Sequence, residues 1–291
     1  MAESAASDRV AVRKTYKLYV GGAFPRSESG RSYPVHAADG TLLAHAAQAS
    51  RKDVRDAVVA ARAAFGTWSG ATAYNRGQVL YRVAEMLEGR RTQFAAEVAL
   101  AEGLTADAAG AQVDAAIDRW VHYAGWADKH AQVVGSTNPV AGSYFSFSLP
   151  EPTGVVGVLA PQDSSLLGLV SVLAPVIATG NAAVVLAAQD RPLPAVSLAE
   201  VLATSDLPGG VVNLLTGFTA ELAPWLASHK DVNALDVTGA AAEARAELRA
   251  AGAENVKRVY APRTQDWAAE PGLARLNAFV ETKTVWHPIG V

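Results

Sequence analysis

Residues 154–262 alternate short apolar runs with helical stretches, and this alternation constrains the fold more than any other feature of the sequence. The apolar runs are GVVGVLA (154–160), AAVVLA (182–187), GVVNLL (210–215), VNALDV (232–237) and KRVYAP (257–262). Helical patterns lie between them at 166–178, 194–203, 219–228 and 241–251. Strands that are apolar on both faces and joined by helical crossovers predict an α/β fold with a five-stranded parallel sheet covered by helices on both sides.

The carboxyl ends of these strands predict the position of a ligand crevice, because open α/β sheets bind ligands at that edge. The ends carry the sequences APQD (160–163), AAQD (187–190), TGF (216–218) and TGA (238–240). Between Gly154 and Asp190 there is no glycine-rich phosphate loop, no lysine and no apparent nucleophile. The layout is therefore that of a nucleotide-binding unit without the usual phosphate-binding residues.

The first half of the chain predicts a small hairpin followed by amphipathic helices. The Gly21–Gly22 pair suits a tight turn in the extended segment 16–36. Ser50 and Asp53 have the spacing of a capping box, which predicts that a helix begins there. Apolar stripes in later segments, including the one that carries Trp120, indicate helix faces that pack in the core.

Composition excludes several classes of function. The 291 residues contain no cysteine, which excludes disulfides, thiolate metal sites and a thiol nucleophile within this sequence. The 25 Lys and Arg residues against 28 Asp and Glu give a net charge of −3, so neither nucleic acid nor an anionic membrane is an expected partner. The six histidines lack metal-binding spacing, and no apolar run suits a signal peptide or a membrane span. A cytoplasmic protein without a metal site is expected.

Several motifs occur in the order and spacing of one known family. They include KLYVGGAF (17–24), the segment 62–91, HYAGWADK (122–129), EPTGVVGVLAP (151–161), LAPVIATGNAAVVL (173–186), DLPGGVVNLLTGF (206–218) and DVTG (236–239). On these motifs the sequence resembles the aldehyde dehydrogenase superfamily along nearly all of its length.

The resemblance implies a domain organisation. Residues 15–139 and 153–262 would form the Rossmann-like, NAD-type domain with its N-terminal helices. Residues 140–152 and 275–291, the latter containing FVETKTVW (279–286), would form a small oligomerisation sheet, and residues 1–14 a flexible N-terminus. The family places its catalytic domain between KRVYAP and this terminal strand, where only about twenty residues remain. The expectation is that the catalytic domain is absent.

The resemblance also implies that the site has degenerated. Asp163 stands where the family's APWNFP motif has the asparagine that helps to hold the substrate oxyanion, and a carboxylate there would repel negative charge. In place of the family's VLKPAE and FTGS, the sequence has Ala187, Asp190 and Ala240, which removes a lysine and a hydroxyl. The ELGGK glutamate and the nucleophilic cysteine have no counterpart. No catalytic residue is therefore expected.

The remaining positions of the motifs predict a weak, degenerate cofactor site. Its residues would be Pro161, Asp163, Asp190, Gly217, Phe218, Thr238 and Gly239. Asp163 is interpreted first as a turn-capping carboxylate and second as a new acid or base. Asp190 has the position from which an acidic residue can reach a ribose hydroxyl. Gly209, Gly210 and Gly217 suit turns and close backbone approach whether or not a nucleotide binds. The expectation is that no cofactor is required and that NAD(H) binds weakly at most.

Three functional hypotheses follow. The first is a non-catalytic subunit that assembles with a full-length aldehyde dehydrogenase paralogue and stabilises or regulates it. The second is an NAD(H)-binding sensor without turnover. The third is an active NAD(P)-dependent aldehyde oxidoreductase, as membership of the family alone would suggest. The first is favoured, with a homodimer as the alternative assembly, because two-fold homo-oligomers are the commonest kind.

Overall fold

The chain enters the fold through a tight turn at the edge of the main sheet. The computed structural model describes residues 14–262 and 265–290, so the prediction of a flexible segment at 1–14 falls almost entirely outside the described residues. Gly21 and Gly22 have positive φ angles of 62° and 83°, and Val20 and Ala23 exchange two hydrogen bonds across them. The predicted turn is therefore confirmed. A two-stranded antiparallel sheet follows, formed by β1 (Ser32–His36) and β2 (Leu42–Ala47).

Helices fill most of the next ninety residues. They are α1 (Arg51–Gly70), α2 (Ala73–Glu88), α3 (Arg91–Glu102), α4 (Ala106–Trp126) and α5 (Lys129–Val134). The predicted capping box is present at the start of α1. The Ser50 side chain accepts from the backbone N–H of Asp53, and the Asp53 carboxylate accepts from the backbone N–H of Ser50. Two strands, β3 (Ser136–Asn138) and β4 (Tyr144–Pro152), come next.

The central sheet confirms the predicted α/β architecture. Its strands are β5 (Val155–Leu159), β6 (Ala182–Leu186), β7 (Val212–Leu215), β8 (Ala234–Asp236) and β9 (Arg258–Tyr260). The helices between them are α6 (Leu167–Ala178), α7 (Leu193–Ala203), α8 (Thr219–Ser228) and α9 (Ala244–Ala253). All four strand pairs are parallel, in the order β7-β6-β5-β8-β9. All five strands are shorter than the apolar runs that predict them.

The end of the chain returns to the strand that precedes the central sheet. A short helix, α10 (Ala274–Ala278), leads into β10 (Val280–Pro288), which pairs antiparallel with all nine residues of β4. With β3 they form a three-stranded sheet in the order β10-β4-β3. The two segments expected to form the small sheet therefore pair with each other. Their role in oligomerisation stays a prediction.

The core lies in two apolar layers, one on each face of the central sheet. Along β5, Val156 and Val158 point into the layer that α2, α4, α6 and α7 cover, whereas Val155 and Leu159 point into the layer beneath α1, α8 and α9. This alternation follows from the period of two in a strand, and it explains why every residue of β5 is buried. Because helices cover both faces of the sheet, the ends of its strands remain accessible.

Candidate functional site

A crevice runs along the carboxyl edge of the central sheet, where the sequence predicts it. One cavity of about 410 Å³ lies against α8 and α9, and a second of about 380 Å³ lies toward the segment after β9. Both are lined by Gln162, Gly239, Ala240 and Ala241. Because these residues are shared, the two cavities form the two halves of one crevice.

Gly239 holds the strand ends close together at the centre of the crevice. Its backbone N–H donates to the Leu159 carbonyl at 3.0 Å. A Cβ atom at this position would lie 1.9 Å from the carbonyl oxygen of Ala160. No side chain fits in that space, so the close crossing of the chain after β5 and after β8 depends on glycine.

Hydrogen bonds to the residues that follow β6 fix the turn after β5. The Gln162 side chain donates to the Ala160 carbonyl at 2.8 Å and accepts from the backbone N–H of Gln189 at 2.9 Å. Arg191 donates to the backbone carbonyl of Asp163 at 3.1 Å. The Asp163 carboxylate lies on the lining of the 380 Å³ half of the crevice and has no hydrogen-bond partner among the described residues.

Beneath the 380 Å³ half lies a buried ion pair. Asp236, the last residue of β8, is fully buried and contacts the guanidinium of Arg275 on α10, which is 6% exposed. The hydroxyl of Thr238 donates to Asp236 and accepts from Arg275, the latter at 3.0 Å. Burial raises the pKa of Asp236, and Arg275 and Thr238 oppose the rise. The Thr238 hydroxyl is thus directed to this pair.

Hydrogen-bond donors without partners lie on the 410 Å³ half. The backbone N–H groups of Ala241, Ala242 and Glu243, just before α9, have no acceptor among the described residues. Ala241 lines this half, and the other two residues follow it in the chain. The Thr219 hydroxyl at the start of α8 is also buried without a partner. Unpaired N–H groups at the amino end of a helix favour an anionic ligand, because the helix dipole adds to their positive potential.

The structure brings together five of the seven predicted cofactor-binding residues. Pro161, Asp163, Thr238 and Gly239 line the 380 Å³ half, and Asp190 lines the 410 Å³ half.

Gly217 and Phe218 lie outside the lining of both halves. A Cβ on Gly217 would lie 3.2 Å from the backbone N of Ala49, and the Phe218 ring lies 5.4 Å from that of Tyr33. These contacts place the two residues against the N-terminal part of the chain. Their role in binding stays a prediction.

Sequence reasoning missed several lining residues. Arg245 donates to the backbone carbonyls of Ala240 and Thr238 at 3.2 and 3.1 Å and so fixes the turn before α9. Its position near the start of a predicted helix is a local signal for such a role. Trp267 and Gln265 reach the crevice from a segment without periodicity, and no local pattern predicts that contact.

Comparisons with known proteins agree with this geometry. The model of the Aldehyde dehydrogenase family matches residues 24–262. The chain belongs to the aldehyde dehydrogenase family. It is 34% identical over 248 residues to the human mitochondrial aldehyde dehydrogenase, covering 84% of this chain and 47% of that protein. It is 33% identical over 251 residues to human retinal dehydrogenase 2, covering 84% and 48%. The chain spans about half the length of the curated relatives it matches.

Solved structures of aldehyde dehydrogenases share the fold. The NAD+ complex of the Bacillus cereus aldehyde dehydrogenase superimposes with a TM-score of 0.80 at 27% identity, covering 85% of this chain and 50% of that chain. Betaine aldehyde dehydrogenase from Staphylococcus aureus, in complex with NAD+, gives a TM-score of 0.80 at 25% identity, with the same coverage.

These complexes correct one expectation. The expectation of no required cofactor, with NAD(H) bound weakly at most, is wrong, because the fold and family of this chain point to NAD. The expectation gave too much weight to three side chains of the family's motifs that are missing here, a Lys, a Glu and a Ser. It gave too little weight to backbone N–H groups, which a substitution by alanine does not remove.

The described residues contain neither a cluster of metal ligands nor a helix that could cross a membrane. No group of three or more metal-ligating side chains occurs in 14–262 and 265–290. Within the same residues, no helix has both the length and the apolar character needed to cross a membrane.

Proposed function

We propose that this chain binds NAD(H) in the crevice, has no aldehyde-oxidising activity of its own, and acts as a subunit beside a full-length aldehyde dehydrogenase. The observation that carries the proposal is that backbone N–H groups without acceptors lie beside a two-part crevice at the carboxyl edge of the sheet. Backbone donors at the start of a helix suit a pyrophosphate, and cavities on both sides suit the two halves of a dinucleotide.

The residues present fit this cofactor. The apolar side chains of Ala223, Ala244 and Leu248 in the 410 Å³ half suit an adenine ring, and the exposed Asp190 suits a ribose hydroxyl. The N–H groups of 241–243 would hold the pyrophosphate, and the 380 Å³ half would take the other nucleoside. Bound NAD supplies a hydride acceptor.

Two observations support binding without turnover. The sequence contains no cysteine, so it supplies no thiol to attack an aldehyde. The Asp163 carboxylate lies on the crevice, where it would repel the negative charge that develops on an aldehyde oxygen. We expect no NADH when the purified chain is incubated with NAD and an aliphatic aldehyde. Protein-dependent NADH formation that persists through exhaustive purification would contradict this part of the proposal.

The binding part is tested by calorimetry with NAD and with NADH on the wild type and on Ala241→Asp. Ala241 is exposed, so the new carboxylate changes the charge at the start of α9 without filling the core. We expect saturable 1:1 binding by the wild type and a loss of about tenfold or more in the variant, as for a charged contact.

The matched control is Ala250→Asp, which makes the same substitution at an exposed position near the other end of α9. It should bind NAD nearly as well as the wild type. No saturable heat with the wild type, or equal losses in the two variants, would overturn the proposed site.

The proposed partner follows from the three-stranded sheet. β10 and β3 are its edges, and among the described residues no further strand pairs with them. Tyr144, Phe145 and Trp286 are 46%, 47% and 57% exposed, and the rings of Tyr144 and Trp286 lie 5.7 Å apart. Open edges and exposed aromatic rings favour pairing with another chain. We propose a full-length family member as that chain, and a second copy of this chain as the competing assembly.

Co-expression with a full-length aldehyde dehydrogenase of the same organism, followed by size-exclusion chromatography with light scattering, tests the assembly. We expect a hetero-oligomer that dissociates in the double variant Phe145→Lys, Trp286→Lys. Tyr74→Lys on α2, where the tyrosine is 68% exposed, is the control. Separate elution of the two wild-type proteins, with this chain as a self-dimer, would overturn the partner proposal and leave NAD binding untouched.

A further inference from the structure

A third cavity, of about 240 Å³, lies under the segment 265–272 and against α4 and α6. Its polar and aromatic lining includes Arg119, Tyr123, Ser171, Tyr260, Trp267 and Arg275. An apolar cavity of about 150 Å³ can hold a benzene molecule, so this cavity has room for one aromatic ring and a polar substituent.

Arg119 brings a buried positive charge to this cavity. The residue is 9% exposed, and its Nη2 donates to the carbonyls of Trp267 and Ala269 at 2.9 and 3.1 Å. Among the described residues no carboxylate lies within 4.0 Å of its guanidinium, and its other nitrogens have no partner. Buried arginines are ordinarily paired, so this one has capacity for an anion.

Three further donors on the lining are also unpaired. The hydroxyls of Tyr123 and Tyr260 have no partner among the described residues, and the indole N–H of Trp267 is buried without one. Burial raises the pKa of Tyr123 to about 12, so its hydroxyl stays protonated at neutral pH. Of these donors only the Trp267 indole N–H is fully buried, whereas the two hydroxyls reach accessible space in the cavity. Free donors around one cavity favour a ligand that accepts hydrogen bonds.

The surrounding charges leave Arg119 as the free positive group. Arg275 is neutralised by Asp236, to which it is bonded directly. The two acidic residues on the lining, Asp266 and Glu270, are exposed and lie where the cavity meets solvent. The interior therefore combines the uncompensated charge of Arg119, several donors and three aromatic rings. The Arg275 guanidinium lies 4.9 and 5.9 Å from two of these rings, those of Tyr260 and Trp267.

We propose that this cavity binds a small aromatic carboxylate, with the carboxylate at Arg119 and the ring between Tyr123, Tyr260 and Trp267. A carboxylate accepts two N–H donors from one guanidinium and still has lone pairs for a tyrosine hydroxyl. Aromatic side chains contact a flat ring over a large area. Trp267 also lines the 380 Å³ half of the crevice, but binding of an aromatic carboxylate does not require NAD.

Calorimetry with benzoate tests the proposal, with benzamide as the neutral ligand of the same shape. We expect saturable 1:1 binding of benzoate and at least tenfold weaker binding of benzamide, because only benzoate pairs its charge with Arg119. Tyr123→Phe removes one hydroxyl and no carbon atoms, and it should weaken benzoate binding about tenfold. Tyr260→Phe is the second variant, with the same expected direction.

Tyr81→Phe is the matched control, since Tyr81 lies on α2 and is 50% exposed. Circular dichroism verifies that each variant is folded. Absence of saturable benzoate binding, equal affinity for benzamide, or affinities unchanged in both Tyr123→Phe and Tyr260→Phe would overturn the proposal. None of these experiments contains NAD. A negative result would therefore overturn the aromatic carboxylate site without bearing on the proposed NAD site.

Discussion

Asp236 places a buried carboxylate at the end of β8, and Arg275 compensates its charge. The two residues are 39 positions apart, and they connect the end of β8 to α10. A buried pair of this kind contributes little net stability compared with apolar residues of the same size, but either charge alone is costly. The pair therefore specifies where α10 docks more than it stabilises the fold.

Removing one residue of the pair should therefore lower the free energy of unfolding more than removing both. We expect Asp236→Leu and Arg275→Met each to lower the free energy of unfolding by roughly 3–5 kcal/mol, and the double variant to recover most of that loss. Urea titration followed by circular dichroism measures the cycle. Asp266→Asn, an exposed acid, should change stability by less than about 0.5 kcal/mol. Additive losses in the double variant would show that the two charges are not coupled.

Gly239 is the second residue on which the crevice depends. Its substitution by alanine would place Cβ 1.9 Å from a backbone oxygen, and the strand ends must then separate. We expect Gly239→Ala to destabilise the chain by about 3 kcal/mol, the upper end for an overpacked core, and to abolish NAD binding. Gly272→Ala is the control, because nothing lies within 4 Å of the added atom. A Gly239→Ala protein as stable as the wild type would contradict the close crossing.

Among the elements, the apolar runs predicted the five central strands and the helices between them. Continuous apolar runs with helical spacers have few other solutions, so strand type and direction follow from local pattern. The start of α1 was equally predictable, because Ser50 and Asp53 lie three residues apart. The site was less so. Asp190 and Asp163 were found from strand ends, but Trp267 and Arg275 reach their cavities through long-range contacts that no local spacing encodes.

β10 is tied to the central sheet by an exposed ion pair whose contribution depends on pH. Arg258 on β9 donates two hydrogen bonds of 2.6 Å to Glu281 on β10, which lowers the pKa of Glu281 from its usual 4.5. A lowered carboxyl pKa means that the stabilisation is present above pH 4.5 and is lost as pH falls through the value in the folded state. Both side chains are about half exposed, so solvent screening limits the pair to less than about 1 kcal/mol.

We expect Glu281→Gln to lower stability slightly at pH 7 and to have no effect at a pH below the folded-state value. Urea titrations of the variant and the wild type at both pH values measure this difference. Glu151→Gln on β4 is the control, because the ion pair of Glu151 is with Lys283, within the three-stranded sheet. A Glu281→Gln effect of equal size at both pH values would contradict the role of ionisation.

On the scale of the whole molecule, the crevice and the 240 Å³ cavity share a wall. Gln265 and Trp267 line both, and the segment that carries them is held between Arg119 on α4 and Arg275 on α10. A ligand in either cavity therefore contacts a segment that the other ligand also contacts. NAD and benzoate each carry a net negative charge, so each should disfavour the other.

This arrangement predicts negative coupling between NAD and benzoate. Each ligand alone, at a hundredfold excess over its Kd, should raise the free energy of unfolding by about 2.7 kcal/mol. Together they should raise it by less than the sum, and the factor by which NAD weakens benzoate should equal the factor by which benzoate weakens NAD. Calorimetric titrations in both orders measure the two factors. Because the repulsion is electrostatic, the coupling should shrink as salt shortens the screening length from about 30 Å at 0.01 M to about 8 Å at 0.15 M. Coupling that is absent at low salt, with both ligands bound, would show that Trp267 separates two independent sites.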